Sequence, residues 1–242
     1  MRKLRLRALF ALLALTLGVG ALSAFTLEPI STTVAPSGPG SIGTFRIKSE
    51  DPGRIAIRFR VESRDLSPDG KEINGPADDL FLIYPTRMIV EPGAQAVVKI
   101  QWKGPASIDT ERCFRFVAEQ VPLDTGPSSS SGIKMMFRYI AALYVGRPSF
   151  VAELVASAQG ATGSDGSPGY LVEVRNTGSR HVIALDPRIK IGGGLMSLAP
   201  EDLGILASAN YLPGKSIRLF IPKADAVPRK SYDATIDYEG VY

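Results

Sequence analysis

Ile133-Lys134-Met135-Met136-Phe137-Arg138-Tyr139-Ile140-Ala141-Ala142-Leu143-Tyr144-Val145 is the stretch from which the fold is read. It has the make-up of one long strand of about 13 residues, where strands usually run to about 5–6. A Ser/Gly run, Ser128 to Gly132, precedes it, and Gly146-Arg147-Pro148 closes it, so both ends are punctuated. Ile133, Met135, Phe137 and Tyr139 alternate onto one face, and Lys134 and Arg138 fall on the other. From Ile140 onward the run is apolar at every position, the pattern of a strand buried on both sides. The first half thus has a greasy side and a basic side, and the greasy side covers either this chain's own core or another protein's.

Outward from this strand, the chain before it breaks into short alternating runs separated by Gly, Pro, Asp and Ser. Phe25 to Val34, Gly43 to Lys48, Arg54 to Val61, Leu80 to Tyr84, Met88 to Val90, Ala96 to Trp102 and Cys113 to Val121 each read as strands. In Arg54 to Val61 the residues Ile55, Ile57, Phe59 and Val61 face inward, and Arg58 and Arg60 face water. Ser67-Pro68-Asp69-Gly70 and Glu91-Pro92-Gly93 are turns in which proline fixes one dihedral and glycine takes the strained one. Leu123 to Gly132 is a Ser/Gly-rich loop. Roughly seven short strands in about 120 residues is the count of an immunoglobulin-like sandwich.

After Arg147-Pro148-Ser149 a second set follows: Phe150 to Ser157, Tyr170 to Arg175, His181 to Leu185, Ile217 to Ile221 and Asp233 to Tyr238. Gly160 to Gly169 reads as a flexible hairpin loop, and Asn176-Thr177-Gly178 as a turn. The expected architecture is all-β, with two immunoglobulin-like β-sandwich domains at 25–147 and 148–242.

Residues 1–24 stand apart. Arg2, Lys3, Arg5 and Arg7 lead into the apolar run Ala8 to Gly20, and Ala21-Leu22-Ser23-Ala24 offers small residues for cleavage. This is the pattern of a cleavable secretory signal peptide, with an apolar core shorter than the roughly 18–20 residues a membrane span needs. Removing its four basic residues takes the 28 Lys+Arg down to 24 against 24 Asp+Glu, so the charge of the mature chain is balanced. The alkaline character of the precursor therefore gives no reason to expect nucleic acid, nucleotide or membrane insertion of the mature chain.

Function classes narrow further. A single cysteine, Cys113, excludes an internal disulfide and a Cys-rich metal site, and reads as a small buried hydrophobe. A single histidine, His181, argues against a His-based metal site or a conventional acid–base triad, and reads as a structural histidine. Asp78-Asp79 and Glu201-Asp202 lie in expected loops and lack calcium-loop spacing, so they read as solvated acids. Gly192-Gly193-Gly194 has no following helix pattern and no Gly-Lys-Ser/Thr, so it is a loose turn rather than a phosphate loop. Trp102 closes a strand and belongs to a core or sheet edge. The expectation is no enzyme, no cofactor and no metal.

Several blocks then fall in order: Tyr84-Pro85; Val90-Glu91-Pro92-Gly93; Val97 to Gln101; Glu111-Arg112-Cys113-Phe114-Arg115-Phe116 with Gln120-Val121-Pro122; and Phe137 to Pro148. Their order and spacing resemble the periplasmic chaperones of the chaperone–usher pilus pathway, the PapD/FimC-like family. The resemblance is strong over 80–148, weaker over 25–79 and loose beyond, as in a divergent member. It implies a boomerang of two immunoglobulin-like domains located in the periplasm. It also implies binding of fimbrial subunits by donor-strand complementation and their delivery to an outer-membrane usher.

By that resemblance Ile133, Met135, Phe137 and Tyr139 form the donor row, with methionine suited to several related clients. The family's two cleft bases, which hold the client's terminal carboxylate, are missing here. The first-strand position is Ser31, Thr32 or Thr33 in this chain, and the last-strand position is Ala142. Arg138, Lys134, Thr32 and Thr33 are the alternative anchors. The competing reading is a secreted two-domain β-sandwich adhesive module, which would bury the face of Ile133, Met135 and Phe137 internally.

Overall fold

The computed structural model describes residues 25–123, 135–194 and 196–242. Ile133, Lys134 and the expected signal peptide lie outside them. The first half contains β1 (Phe25–Glu28), β2 (Ser31–Val34), β3 (Ile42–Ser49), β4 (Ile55–Leu66), β5 (Glu72–Pro76), β6 (Phe81–Tyr84), β7 (Arg87–Val90), β8 (Gln95–Trp102), β9 (Arg112–Val121) and β10 (Arg138–Val145). The second contains β11 (Leu154–Thr162), β12 (Pro168–Asn176), β13 (Val182–Ile191), β14 (Met196–Leu198), β15 (Asn210–Tyr211), β16 (Ser216–Pro222), β17 (Ser231–Tyr232) and β18 (Ala234–Val241).

The first sandwich packs the sheet β1-β3-β8-β6 against the sheet β2-β10-β9-β4-β5, with β7 also paired to β4. Strict alternation makes the core: Phe45 and Ile47 from β3, Ile55, Ile57, Phe59 and Val61 from β4, and Phe114, Phe116 and Ala118 from β9 are all buried. Phe116 is stacked between Phe45 and Phe59, with ring centroids 4.2 and 5.7 Å away. Trp102, 6% exposed, closes this core beside Phe81 and Phe114. The second sandwich packs β16-β12-β11-β17 against β14-β13-β15, with β18 completing the latter by pairing with β13.

The expected all-β, two-sandwich architecture is present, and several local expectations are corrected. Among the described residues the first sandwich has ten strands, against roughly seven expected; Phe25 to Val34 splits at Pro29 and changes sheets, and β5 carries no hydrophobic alternation to announce it. Gly160 to Gly169 is a hairpin loop only over its middle half, residues 163–167, since β11 runs through Thr162 and β12 starts at Pro168. The glycines at its two ends answer close backbone approach instead. A Cβ on Gly160 would lie 1.9 Å from the carbonyl oxygen of Val227, and one on Gly169 would lie 2.5 Å from that of Ile221. β13 continues past Leu185 to Ile191 through a bulge at Asp186, whose φ is 45°. Asp78 is not merely solvated; its carboxylate accepts the backbone N–H of Val61 at 2.7 Å.

The two sandwiches meet through the hairpin at the end of the longest strand. β4 runs 12 residues, and its last one, Leu66, is buried in the second sandwich's core rather than the first's. The Arg218 backbone N–H donates to the Pro68 carbonyl at 2.7 Å, and Lys215 pairs with Asp65 at 2.7 Å. At Gly70, φ +77°, a Cβ would meet Ile205 at 2.4 Å. Beside this hairpin lies a buried polar contact. Glu111 accepts the backbone N–H of His181 at 2.8 Å and lies 2.5 Å from its Nδ1, and the imidazole stacks on Tyr144 with centroids 3.6 Å apart.

Candidate functional site

The opening stretch is shorter as a strand than its composition suggests. The ladder begins at Arg138, and Met135 to Phe137 precede it. Nor is the run from Ile140 buried on both sides: Ile140 is 47% exposed, because no second layer covers that face until Tyr144 reaches the other sandwich.

β10 pairs antiparallel with β9 along its whole length, from Arg138 opposite Glu119 to Val145 opposite Arg112. On its other side it pairs, in parallel, with β2 only from Ala142 to Val145. Backbone groups alternate sides along a strand. Phe137 accepts from the Gln120 N–H at 2.9 Å, so odd positions turn towards β9. Ala142 donates to the Ile30 carbonyl at 2.8 Å, so even positions turn towards β2. Arg138 and Ile140 come before β2 begins, and their N–H and C=O groups point into an edge that no strand among the described residues fills. Such an edge is a template for another chain.

The side chains along this edge divide by parity too. Phe137 and Tyr139 point towards the sandwich interior and are partly buried against its rim, with Tyr139 4.4 Å from Phe25 and 6.5 Å from Phe137 between ring centroids. Phe25 belongs to β1, the edge strand of the opposite sheet, so the two edges frame a mouth of the sandwich floored by aromatic rings. Met135 and Met136 stand 54% and 60% exposed, beside residues 53–56 and 120–123 at the start of β4 and the end of β9.

Residues at even positions of β10 face outward onto a charged surface. Its rows, read from the register, run Arg58–Glu119–Arg138, then Arg60–Val117–Ile140, then Glu62–Arg115–Ala142–Ser31. One alternate residue further on β4 stands Arg64. Five arginines on this face meet three glutamates. Arg58 pairs with Glu119 at 3.0 Å, Arg60 and Arg138 with Glu62 at 3.1 and 2.8 Å, and Arg64 with Glu72 at 2.6 Å; Arg115 also pairs with Glu72. Burial pushes the Glu72 carboxyl up, but the hydrogen bonds and charges of Arg115 and Arg64 outweigh it and hold it below the usual range. The hydrogen bond from Arg58 does the same for Glu119.

Of the residues expected to bind, Phe137 and Tyr139 are therefore brought together along one edge, and Met135 lies exposed ahead of them. Arg138 lies on the outward face with its guanidinium on Glu62. Thr32 is half-buried and Thr33 exposed on β2. The residues that sequence reasoning passed over are Arg64 and Arg115. Arg115 was visible only as an outward residue of β9, and nothing but the three-dimensional register sets it directly across from Ala142. Cys113, half-buried, faces the second sandwich's core, and its thiol is pushed up to about 12, chiefly by burial. Among the described residues no group of three or more His, Cys, Asp or Glu is placed to hold a metal ion, and no helix is long and apolar enough to cross a membrane.

No family model matches the sequence, and no curated protein matches it. Solved structures do. A chain of the chaperone–tip adhesin complex of CFA/I fimbriae biogenesis aligns at TM-score 0.56 and 16% identity, over 83% of this chain and 90% of that one. The class 5 fimbriae chaperone CfaA aligns at 0.56 and 13% identity, over 89% and 98%. The Salmonella enterica complex of the SafA pilin with the SafB chaperone aligns at 0.54 and 15% identity, over 90% and 98%. At identities this low the likeness speaks for the fold, over nearly the full length of both chains: this chain has the two-sandwich fold of the fimbrial chaperones.

Proposed function

We propose that this protein is a periplasmic chaperone of fimbrial subunits, acting by lending the front of β10 to a client whose own sheet is incomplete. The observation that carries the reading is the half-paired strand: Arg138 and Ile140 present backbone donors and acceptors to an empty edge, Phe137 and Tyr139 line the adjoining mouth, and Met135 stands exposed just ahead of them. An incomplete sandwich has two deficits, an unpaired strand edge and an open core, and a strand with alternating apolar side chains answers both. The backbone closes the client's ladder while the odd-position side chains enter its groove, with Ile133 as the next residue of the same parity. The two exposed methionines ahead of β10 adapt to differing pockets. The chemistry is binding alone, with no catalytic step, and hand-over of the client to an outer-membrane usher belongs to the same proposal.

The client's terminal carboxylate needs a cation near Ala142. Arg115, its cross-strand neighbour, is the best-placed one, with Arg138, Lys134, Thr32 and Thr33 as further contacts. The test is co-expression with a fimbrial subunit encoded in the same cluster, using Met135→Asp and Met136→Asp, which alter exposed side chains, and Phe137→Asp. The expected result is loss of the co-purifying subunit with an unchanged thermal transition for the two methionine variants. Full capture by a folded Met135→Asp/Phe137→Asp protein would overturn the donor-strand assignment.

A further inference from the structure

The most heavily engaged charge cluster near the open edge is Arg64, Arg115 and Glu72. Arg64 is almost wholly enclosed, its side chain 6% exposed, and it donates through Nε to Glu72 at 2.7 Å and through NH1 to the Tyr144 hydroxyl at 3.0 Å. Arg115 donates through Nε to the second Glu72 oxygen at 3.0 Å and pairs again through NH2. Two guanidinium groups thus clasp one carboxylate, which is the planar, multidentate arrangement arginine forms with a carboxylate ligand. The clasp carries a surplus positive charge. Glu72 reaches it from the first residue of β5, an edge strand that follows the Ser67–Gly70 turn, and its side chain is 29% exposed. On the other side of Arg115 the row continues into Ala142 and Ser31, two small side chains at the point where β2 begins and the open edge ends.

We propose that Glu72 is a built-in stand-in for a ligand carboxylate: in the unliganded chain it fills the seat formed by Arg64 and Arg115, and an incoming chain terminus displaces it. This rests on the reading of the protein as a subunit chaperone, and it adds a device that reading does not contain. The internal carboxylate keeps a buried guanidinium paired when no client is present, so the chain has no desolvated, uncompensated cation to hide. It also sets a threshold for binding. A client is held only if its terminal carboxylate, delivered at high local concentration by strand pairing, competes with an acid that is already in place. Free small carboxylates, which lack the strand contacts, are excluded.

The test needs no client. Acetate, with acetamide as the uncharged control, is titrated into the full mature chain while the Arg Nε–H signals are followed by NMR. For the wild type we expect Arg64 and Arg115 to stay unshifted by acetate at concentrations that saturate Glu72→Gln, whose affinity for acetate should rise at least tenfold. Acetamide should shift neither protein. Glu72→Gln/Arg115→Gln should lose the gain, and Asn74→Ala, on the same strand, should behave as wild type. A thermal scan confirms that each variant is folded, and Glu72→Asp, which shortens the reach but keeps the charge, gives an intermediate affinity without removing the pair. Equal acetate affinity for wild type and Glu72→Gln, or a gain that survives Arg115→Gln, would overturn the proposal. Loss of donor-strand function is scored separately by the Met135→Asp capture assay, so a failure of either idea is recognisable by itself.

Discussion

The Glu111–His181 contact joins the two sandwiches, and replacing His181 by alanine tests what it contributes. Glu111 and His181 side chains are 1% and 4% exposed, so the partner left behind by the substitution has no route to water. Two things are lost: a charge-assisted hydrogen bond, about 1.5–3 kcal/mol, and the stacking of the imidazole on Tyr144, about 0.5–1.5 kcal/mol. The backbone N–H of His181 still reaches Glu111 in the variant, which sets the upper limit. We therefore expect a loss of about 2–4 kcal/mol, the two contributions together and short of the cost of a wholly unpaired buried charge. Urea unfolding followed by tryptophan fluorescence and far-UV circular dichroism measures it. Trp102 reports the first sandwich alone, so a weakened joint should also separate the two probes. Glu111→Leu/His181→Phe should recover more than half of the loss, because the buried polar pair is replaced as a unit and the ring against Tyr144 is restored. A loss below about 1 kcal/mol with coincident probes would refute the assignment of this pair as a stabilising joint.

Ile140→Pro and Ala141→Pro separate the two sides of β10. Proline at 140 removes an N–H that points into the empty edge, whereas proline at 141 removes one that the β9 ladder uses; we expect the first to keep a transition near that of wild type yet fail to capture a subunit, and the second to be markedly destabilised, both read by thermal melts and co-purification. Cys113 should resist a thiol reagent at pH 8 in the folded chain and react in denaturant, since burial pushes its thiol up to about 12. Acid should weaken the fold in a defined window. The carboxyls of Glu72 and Glu119 are lowered on folding, so their contribution is present above the unfolded value near 4.5 and is lost as pH falls through the lower folded values. The urea midpoint should fall below about pH 4.5 and show no pH dependence from these two groups between pH 6 and 8, where their contribution is fully present.

Much of the first sandwich was legible because its strands are half-buried, and a half-buried strand writes its burial directly into alternate residues. Ile55, Ile57, Phe59 and Val61 show this, as do Phe114 and Phe116. β5 was not legible, since Glu72 to Pro76 holds its place by pairing with β4 at a sheet edge and buries no stripe of its own. The glycines of Gly160 and Gly169 misled because absence of a side chain has two causes, a free turn and a tight approach, and residues distant in sequence decide between them. At the candidate site, the shared face of Phe137 and Tyr139 could be read from period alone. Its edge could not, because the open side of Arg138 and Ile140 depends on where β2 stops. Arg64 and Arg115 were hidden for a related reason: their meeting at Glu72 joins three strands, and no linear spacing encodes it. His181 was read correctly as structural, but its partner Glu111 is 70 residues away.

Leu66, planted in the second sandwich's core at the tip of β4, bears on how the chain is made. Lys215, which clips the same hairpin through Asp65, lies 150 residues downstream. At about 5–20 residues per second of synthesis, that separation amounts to roughly ten to thirty seconds during which the hairpin's tip has no socket. The first sandwich can condense in that interval with a leucine left over, and the second has a vacancy until the two dock. Cutting the chain near residue 148 to express the halves separately should therefore give one piece with a sticky tip and another with a hole in its core, and neither would be a faithful copy of what the intact chain builds.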